Sequence, residues 1–145
     1  MDISVDSNIL VCLSNPASPF YLHTATAVSK LLSNRNRLYV FPQIWWSSGR
    51  SLLSLFLQMD LDFRFLKLKT RSGEFYGFFD CSMNRRRFTP NWQRLVSAYN
   101  VSGKNAHDAR IVAQMNVHNL TDILTFNIKD FSRYGNINVV DPATV

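Results

Sequence analysis

Glutamate is almost missing from this chain: of 145 residues, Glu74 is the only one. Carboxylate chemistry, if there is any, therefore falls to aspartate. Cysteine is scarce as well. Cys12 and Cys81 have no metal-motif spacing, which excludes a cysteine-built zinc site and leaves two thiols of a reducing compartment as the expectation. No apolar run approaches the ~18 to 20 residues that a membrane span needs. The chain opens directly with D-I-S-V-D, with neither a basic segment nor an apolar signal core, so a cytoplasmic location is expected. Glycine is sparse, and the G-K of S-G-K-N at 102–105 lacks the preceding glycines of a phosphate-binding loop. No repeat, low-complexity tract or linker divides the chain, and residues 1–145 are expected to form one domain.

What remains is a globular composition, 46% hydrophobic and 18% charged, with enough length for a real core. The formal charge is +6, unevenly spread. Residues 1–43 and 92–145 carry +1 each, whereas residues 44–91 carry +4. A basic surface favours nucleic acid or another polyanion; plain solubility accounts for it equally well.

Strand and helix patterns alternate along the chain. Ile3–Val5 opens as a strand. Asp6, Ser7 and Asn8 then suit a helix start, because their side chains can bond free backbone amides. Pro16 and Pro19 break the chain before a helical pattern over 23–32. Leu38–Phe41 reads as a second strand, with a helix expected from about Pro42. Within 50–80, leucine and phenylalanine keep a helical spacing in L-L-S-L-F-L-Q-M at 52–59. Trp92–Tyr99 reads as helix up to the loop at Gly103. Ala106–His118 gives the clearest helix, with Asn105 as its cap and Ala109, Val112, Ala113 and Met115 as a small-residue face for close packing. Ile123–Phe126 and Ile137–Val140 read as late strands. Such alternation predicts an α/β sandwich with a mostly parallel sheet.

Function in an open parallel sheet gathers beyond the C-terminal strand ends. Asp6 closes the first strand, Asn127 and Asp130 follow a late one, and Asp108 heads the clear helix. Aspartates brought together repel one another, and Mg²⁺ or Mn²⁺, which prefer oxygen donors, relieves that cost. Each residue also has a plain structural reading. Asp6 and Asp108 can cap helices, Thr125 and Asn127 can stabilise a turn, and Asp130 can be a solvated turn residue. Ser7 and Asn8 either orient a metal site or cap a helix. His107 and Lys104 are candidate substrate contacts, or an exposed histidine and a solvated lysine. Trp45 and Trp46 read as packing groups rather than a base-stacking platform. The first strand lacks the D-x-D of phosphatase-like modules and the paired acids of receiver-like ones.

Several segments together resemble the PIN-domain ribonucleases, above all toxins of the VapC type. They are V-D-S-N-I-L-V at 5–11, L-Y-V-F-P-Q at 38–43, W-Q-R-L-V at 92–96, V-S-G-K-N-A-H-D-A-R-I-V-A at 101–113, I-L-T-F-N-I-K-D-F at 123–131 and V-V-D-P at 139–142. The resemblance implies a three-layer α/β/α fold and Mg²⁺- or Mn²⁺-dependent cleavage of RNA. It also implies a small antitoxin partner and a homodimer. Asp6 and Asp108 match the family's metal-binding aspartates, and Thr125 and Asn127 its polar residues at the fourth strand end. Asp130 gains weight because many relatives have aspartate where Asn127 stands. Lys104 and nearby arginines would hold the RNA backbone.

Residues 44–87 depart from the family, which carries a glutamate near position 46 or 47, often within V-E-F-W. This chain reads I-W-W-S-S-G-R there. With synonymous codons chosen as ATA TGG TGG AGT TCT GGG, the frame starting at the third base encodes M-V-E-F-W. The expectation is a stretch read in a shifted frame, entered near 43–44 and left near 85–88, so that part of the middle charge is incidental. Two functional expectations follow: a toxin ribonuclease, or a catalytically impaired PIN-like protein that keeps antitoxin or RNA binding.

Overall fold

The computed structural model describes residues 1–41, 65–70, 73–78, 85–103 and 105–145. The expected helix from Pro42, the helical spacing of L-L-S-L-F-L-Q-M at 52–59, Trp45, Trp46, Cys81, Lys104 and the position of the family glutamate lie outside them.

Ile3 and Val5 are fully buried in strand β1 (Asp2–Val5), and Ser4 is buried between them. A strand buried on both faces fits the centre of a parallel sheet. The chain then turns into helix α1 (Ser7–Ser14) at Asp6, whose extended backbone (φ −76°, ψ 157°) and carboxylate cap the first turn. Asn15, followed by Pro16, closes α1. Helix α2 (Tyr21–Ser33) has no side-chain cap at its start, and its buried face is small: Thr24, Ala25, Ala27 and Val28. It packs on α1. Arg35 in the left-handed region (φ 59°) ends it, and the Asn36 side chain donates to the Leu31 carbonyl.

Strand β2 (Arg37–Tyr39) pairs in parallel with β1, Ile3 opposite Leu38. Strands β3 (Phe65–Thr70) and β4 (Gly73–Phe78) pair antiparallel as a separate two-stranded sheet. No strand is expected from sequence over 65–78, although F-L-K-L-K-T alternates leucine with lysine, a period of two rather than 3.6.

Helix α3 (Arg85–Ala98) starts earlier than the Trp92 expected, with Pro90 inside it. Proline disfavours helix for the residue before it, which is why a sequence reading places the start beyond that point. Phe88 and Leu95 are buried, while Arg86 and Arg87 are exposed, as the R-R-R run requires. Helix α4 (Asn105–Val117) packs against α3 and is the most enclosed of the described helices, burying Ala109, Ile111, Val112, Ala113, Gln114 and Met115. Strand β5 (Asp122–Leu124), the single-turn helix α5 (Ile128–Phe131) and strand β6 (Asn138–Val140) complete the described chain. The sequence showed α5 only as a turn.

The four-stranded sheet runs β2-β1-β5-β6 with every pair parallel. Helices flank it in a three-layer α/β/α sandwich. Ile3, Val5, Leu38, Ile123 and Leu124 from the strands join Ile9, Leu10, Val112 and Met115 from the helices in one continuous core. Among the described residues, no helix is long and apolar enough to cross a membrane.

Candidate functional site at the strand ends

Parallel strands carry their C-terminal ends to one edge, and there β1 and β5 deliver Asp6 and Thr125. The Asp6 amide bonds the Leu124 carbonyl at 3.1 Å, which ties the two strand ends together. Asp6 is only 3% exposed and Thr125 fully buried.

Thr125 is the hub. Its hydroxyl donates to Asp6 Oδ2 at 2.7 Å and accepts from Asn8 Nδ2 at 3.1 Å. It also accepts the Asn127 amide at 3.0 Å. A hydroxyl has one proton and two lone pairs, so Thr125 is saturated. Asp6 Oδ1 accepts the Ser7 amide at 2.6 Å and the Ser7 hydroxyl at 3.2 Å. The sequence alternatives were thus not exclusive. Asp6 does cap α1, yet its other oxygen is held by a residue 119 positions away.

Burial raises the Asp6 pKa above its ordinary value of 3.8, and the bonds from Thr125 and Ser7 pull it down only in part. The carboxylate is thus a buried charge that hydrogen bonds alone do not fully stabilise. One further atom is unsatisfied. Asn8 Oδ1 is buried without a hydrogen-bond partner among the described residues, although Nδ2 of the same amide is bonded to Thr125.

The remaining candidates divide. Asp108 occupies the first turn of α4, half-buried. The C-terminus of α4 leads into the start of β5, so its first turn lies toward the edge where β5 ends. Asp130 sits in α5, half-buried and paired with Arg133 at 3.2 Å. Asn127 precedes α5 and is exposed, its side chain making no cap; only its backbone joins the Thr125 network. His107 is exposed on α4.

Sequence reasoning missed Tyr134. It is fully buried, its ring meets Tyr99 edge-on at 4.8 Å, and its hydroxyl has no hydrogen-bond partner among the described residues. Its pKa is pushed up to about 12, first by burial and then by the negative charge of Asp108, with Asp130 contributing less. Asp108 and Asp130 thus bear on one buried phenol. Nothing in F-S-R-Y-G marks that tyrosine beforehand.

Among the described residues, no group of three histidine, cysteine, aspartate or glutamate side chains is placed to hold a metal ion. The donors present are nevertheless oxygens: the Asp6 carboxylate and the unpartnered Asn8 Oδ1. Mg²⁺ is commonly held by one or two carboxylates and keeps several of its waters, so this donor set fits a water-rich hard cation and not a closed protein cage.

No family model matches the sequence, and no curated protein is significantly similar to it. Solved structures are similar in fold. One is from VapBC2 of Rickettsia felis, a complex crystallised with a DNA fragment from its promoter. The identity is 16%, with 97% of this chain and 98% of that one covered at a TM-score of 0.59. Another is from VapBC-1 of nontypeable Haemophilus influenzae, at 13% identity, 98% coverage of both chains and a TM-score of 0.57. The chain therefore shares its fold with these VapBC structures.

Proposed function

We propose that this chain is a divalent-metal-dependent endoribonuclease, the toxin of a type II toxin–antitoxin pair, acting in the cytoplasm on RNA. The observation that carries the reading is the buried Asp6 carboxylate. It is held at a parallel-sheet edge by Thr125, and beside it the same threonine fixes an amide whose oxygen is unpartnered. In this reading Asp6 and Asp108 hold Mg²⁺ or Mn²⁺, with Asn8 Oδ1 as a neutral donor. When bound, the cation supplies Lewis acidity toward a phosphodiester and lowers the pKa of an attacking water.

The chain's own residues do the positioning. Ser7 fixes Asp6 Oδ1 through two donors, and Thr125 fixes Oδ2, so the carboxylate plane is set before any ligand arrives. Burial keeps competing water away from it. Asn127 and Asp130 lie beyond the same strand end, where they would hold waters or substrate; Asp130 would first have to share its charge with Arg133. His107 and Lys104 would contact the RNA, Lys104 and the basic surface holding its phosphates. A small antitoxin and a second copy of this chain are the expected protein partners.

The test is Mn²⁺-dependent RNA cleavage by the chain beside an Asp6→Asn, Asp108→Asn double variant. Cleavage by the parent that the double variant lacks is the expected result; equal cleavage by both refutes the metal site. A second reading is favoured by the single glutamate and by the lack of a three-ligand cluster among the described residues. In it, the chain is a catalytically impaired PIN-like protein that binds antitoxin or RNA. Intact binding with no cleavage by either form would support it.

A further inference from the structure

A concave site lies away from the strand-end carboxylate. It is a cleft of about 430 Å³ between the exposed side of α3 and the C-terminal end of α4. From α3 it takes Arg87, Asn91 and Arg94, whose spacing of four and three residues puts them in one row along the helix. From α4 and the turn beyond it come Asn116 and Asn119. Asn119 has a left-handed backbone (φ 55°), which asparagine tolerates better than most residues. Among the described residues that line the cleft, none is acidic.

The cleft and the carboxylate lie at opposite ends of α4. Eight residues separate Asp108 from Asn116, about 12 Å of helix. Asn119 comes just before β5 begins, whereas Thr125 comes just after β5 ends. The cleft therefore borders the N-terminal edge of the sheet.

Its chemistry is specific in kind. Guanidinium groups present a fork of donors that matches phosphate oxygens in pairs. Asparagine amides offer a donor and an acceptor together, the combination that reads the edge of a base. The volume falls in the range of small-ligand sites, roughly 300 to 1,000 Å³. Arg94 Nη2 already donates to Asn91 Oδ1 at 3.2 Å, which orients the guanidinium across the row.

We propose that this cleft is a nucleotide site, with Arg87 and Arg94 receiving a phosphate and Asn91, Asn116 and Asn119 contacting the base or sugar. The phosphate belongs either to a free nucleotide or to a single-stranded nucleic acid. The proposal stands apart from the nuclease reading, and its test is one of binding without divalent metal.

Labelled single-stranded oligoribonucleotide is titrated by fluorescence anisotropy in EDTA, and AMP by NMR of the side-chain amides. The variants are Arg87→Gln with Arg94→Gln and, as a charge-matched control, Lys30→Gln with Arg35→Gln; all four side chains are exposed. The cleft variant should bind at least about tenfold more weakly, from two lost charged contacts. With the one phosphate proposed, its log K against log salt slope should fall by about 0.7. The control should stay near the parent. Shifts at Asn91, Asn116 and Asn119 with AMP identify a free nucleotide as the source; oligonucleotide binding lost in the cleft variant without those shifts identifies a single strand. Equal weakening in both variants, no weakening in the cleft variant, or no binding of either probe by the parent overturns the proposal.

Discussion

Replacing Thr125 by valine keeps the shape of the side chain and deletes the hub of the site. Three hydrogen bonds vanish: to Asp6 Oδ2, from Asn8 Nδ2 and from the Asn127 amide. The bond to Asp6 dominates, because it serves a buried carboxylate; hydrogen bonds to charged groups contribute about 1.5 to 3 kcal/mol. The two others end on groups with more freedom to find water. A net loss of about 2 kcal/mol near pH 7 is expected. For a domain of this size that lowers Tm by roughly 4 to 8 °C. The pH dependence distinguishes this mechanism from simple packing loss. Burial raises the folded-state pKa of Asp6, so the folded chain binds its proton more tightly than the unfolded chain does. Asp6 therefore contributes stability when protonated, and that contribution is lost as pH rises from the ordinary carboxylate range through its raised folded value. Thr125 opposes the shift by stabilising the charged form. The damage done by valine should thus be larger at pH 7 than at a pH where Asp6 is protonated. Urea unfolding across that range, with Thr125→Ser as a control that keeps the hydroxyl, measures it. A loss equal in both variants, or one independent of pH, would refute the reasoning.

Other substitutions probe the surroundings. Tyr134→Phe removes a buried hydroxyl that has no partner; it should leave stability unchanged or raise it by up to about 1 kcal/mol, read by denaturant unfolding. A clear loss would reveal a bond to that hydroxyl. In the parent, the Tyr134 phenol should resist ionisation up to about pH 12 in an ultraviolet titration. Ala113→Leu, fully buried on α4, should overpack the core and cost about 1 to 3 kcal/mol. If the shifted frame is a sequencing error and not a real shift in the gene, peptide mapping of the chain made in its native host returns V-E-F-W near position 46; recovery of I-W-W-S-S-G-R instead would refute the sequencing-error account.

What the sequence revealed and what it concealed have physical causes. β1, α1, α2 and α4 were visible because each is either a short apolar run or an apolar face beside a recognisable stop such as Pro16 or Gly103. The Asp6–Thr125–Asn8 grouping was visible only as residues at strand ends; the direction of each hydrogen bond depends on the parallel register of β1 with β5. The early start of α3 was hidden by Pro90, and the β3–β4 pair was legible only in the short period-two alternation of F-L-K-L-K-T. Tyr134 was out of reach. Its raised pKa comes from burial and from the charges of Asp108 and Asp130 acting on it through space, and no local pattern encodes that.

The strand-end network holds more than a helix cap requires. Asp6 already caps α1 by accepting the Ser7 amide at Oδ1. Thr125 and Asn8 add polar groups that must be buried, and burial of polar atoms without partners is costly. Counting donors against acceptors locates the surplus. The Thr125 proton goes to Asp6, and both Thr125 lone pairs are filled. Ser7 supplies two donors to Asp6 Oδ1, and Asp6 Oδ2 has one. Asn8 Oδ1 has none among the described residues. The balance is negative and rich in acceptors, and burial raises the Asp6 pKa because no cationic side chain of the described residues offsets its charge. A fold can tolerate such a deficit in three ways: by protonating the carboxylate, by admitting water, or by binding a cation. Protonation competes with donors already in place, since Oδ1 accepts two hydrogens from Ser7 and Oδ2 one from Thr125. Water satisfies Asn8 Oδ1 but not the charge. A hydrated divalent ion satisfies both at once, so metal should raise the stability of the parent chain and have no such effect on Asp6→Asn. A melting temperature that Mn²⁺ leaves unmoved in the parent would remove the electrostatic basis of the nuclease reading.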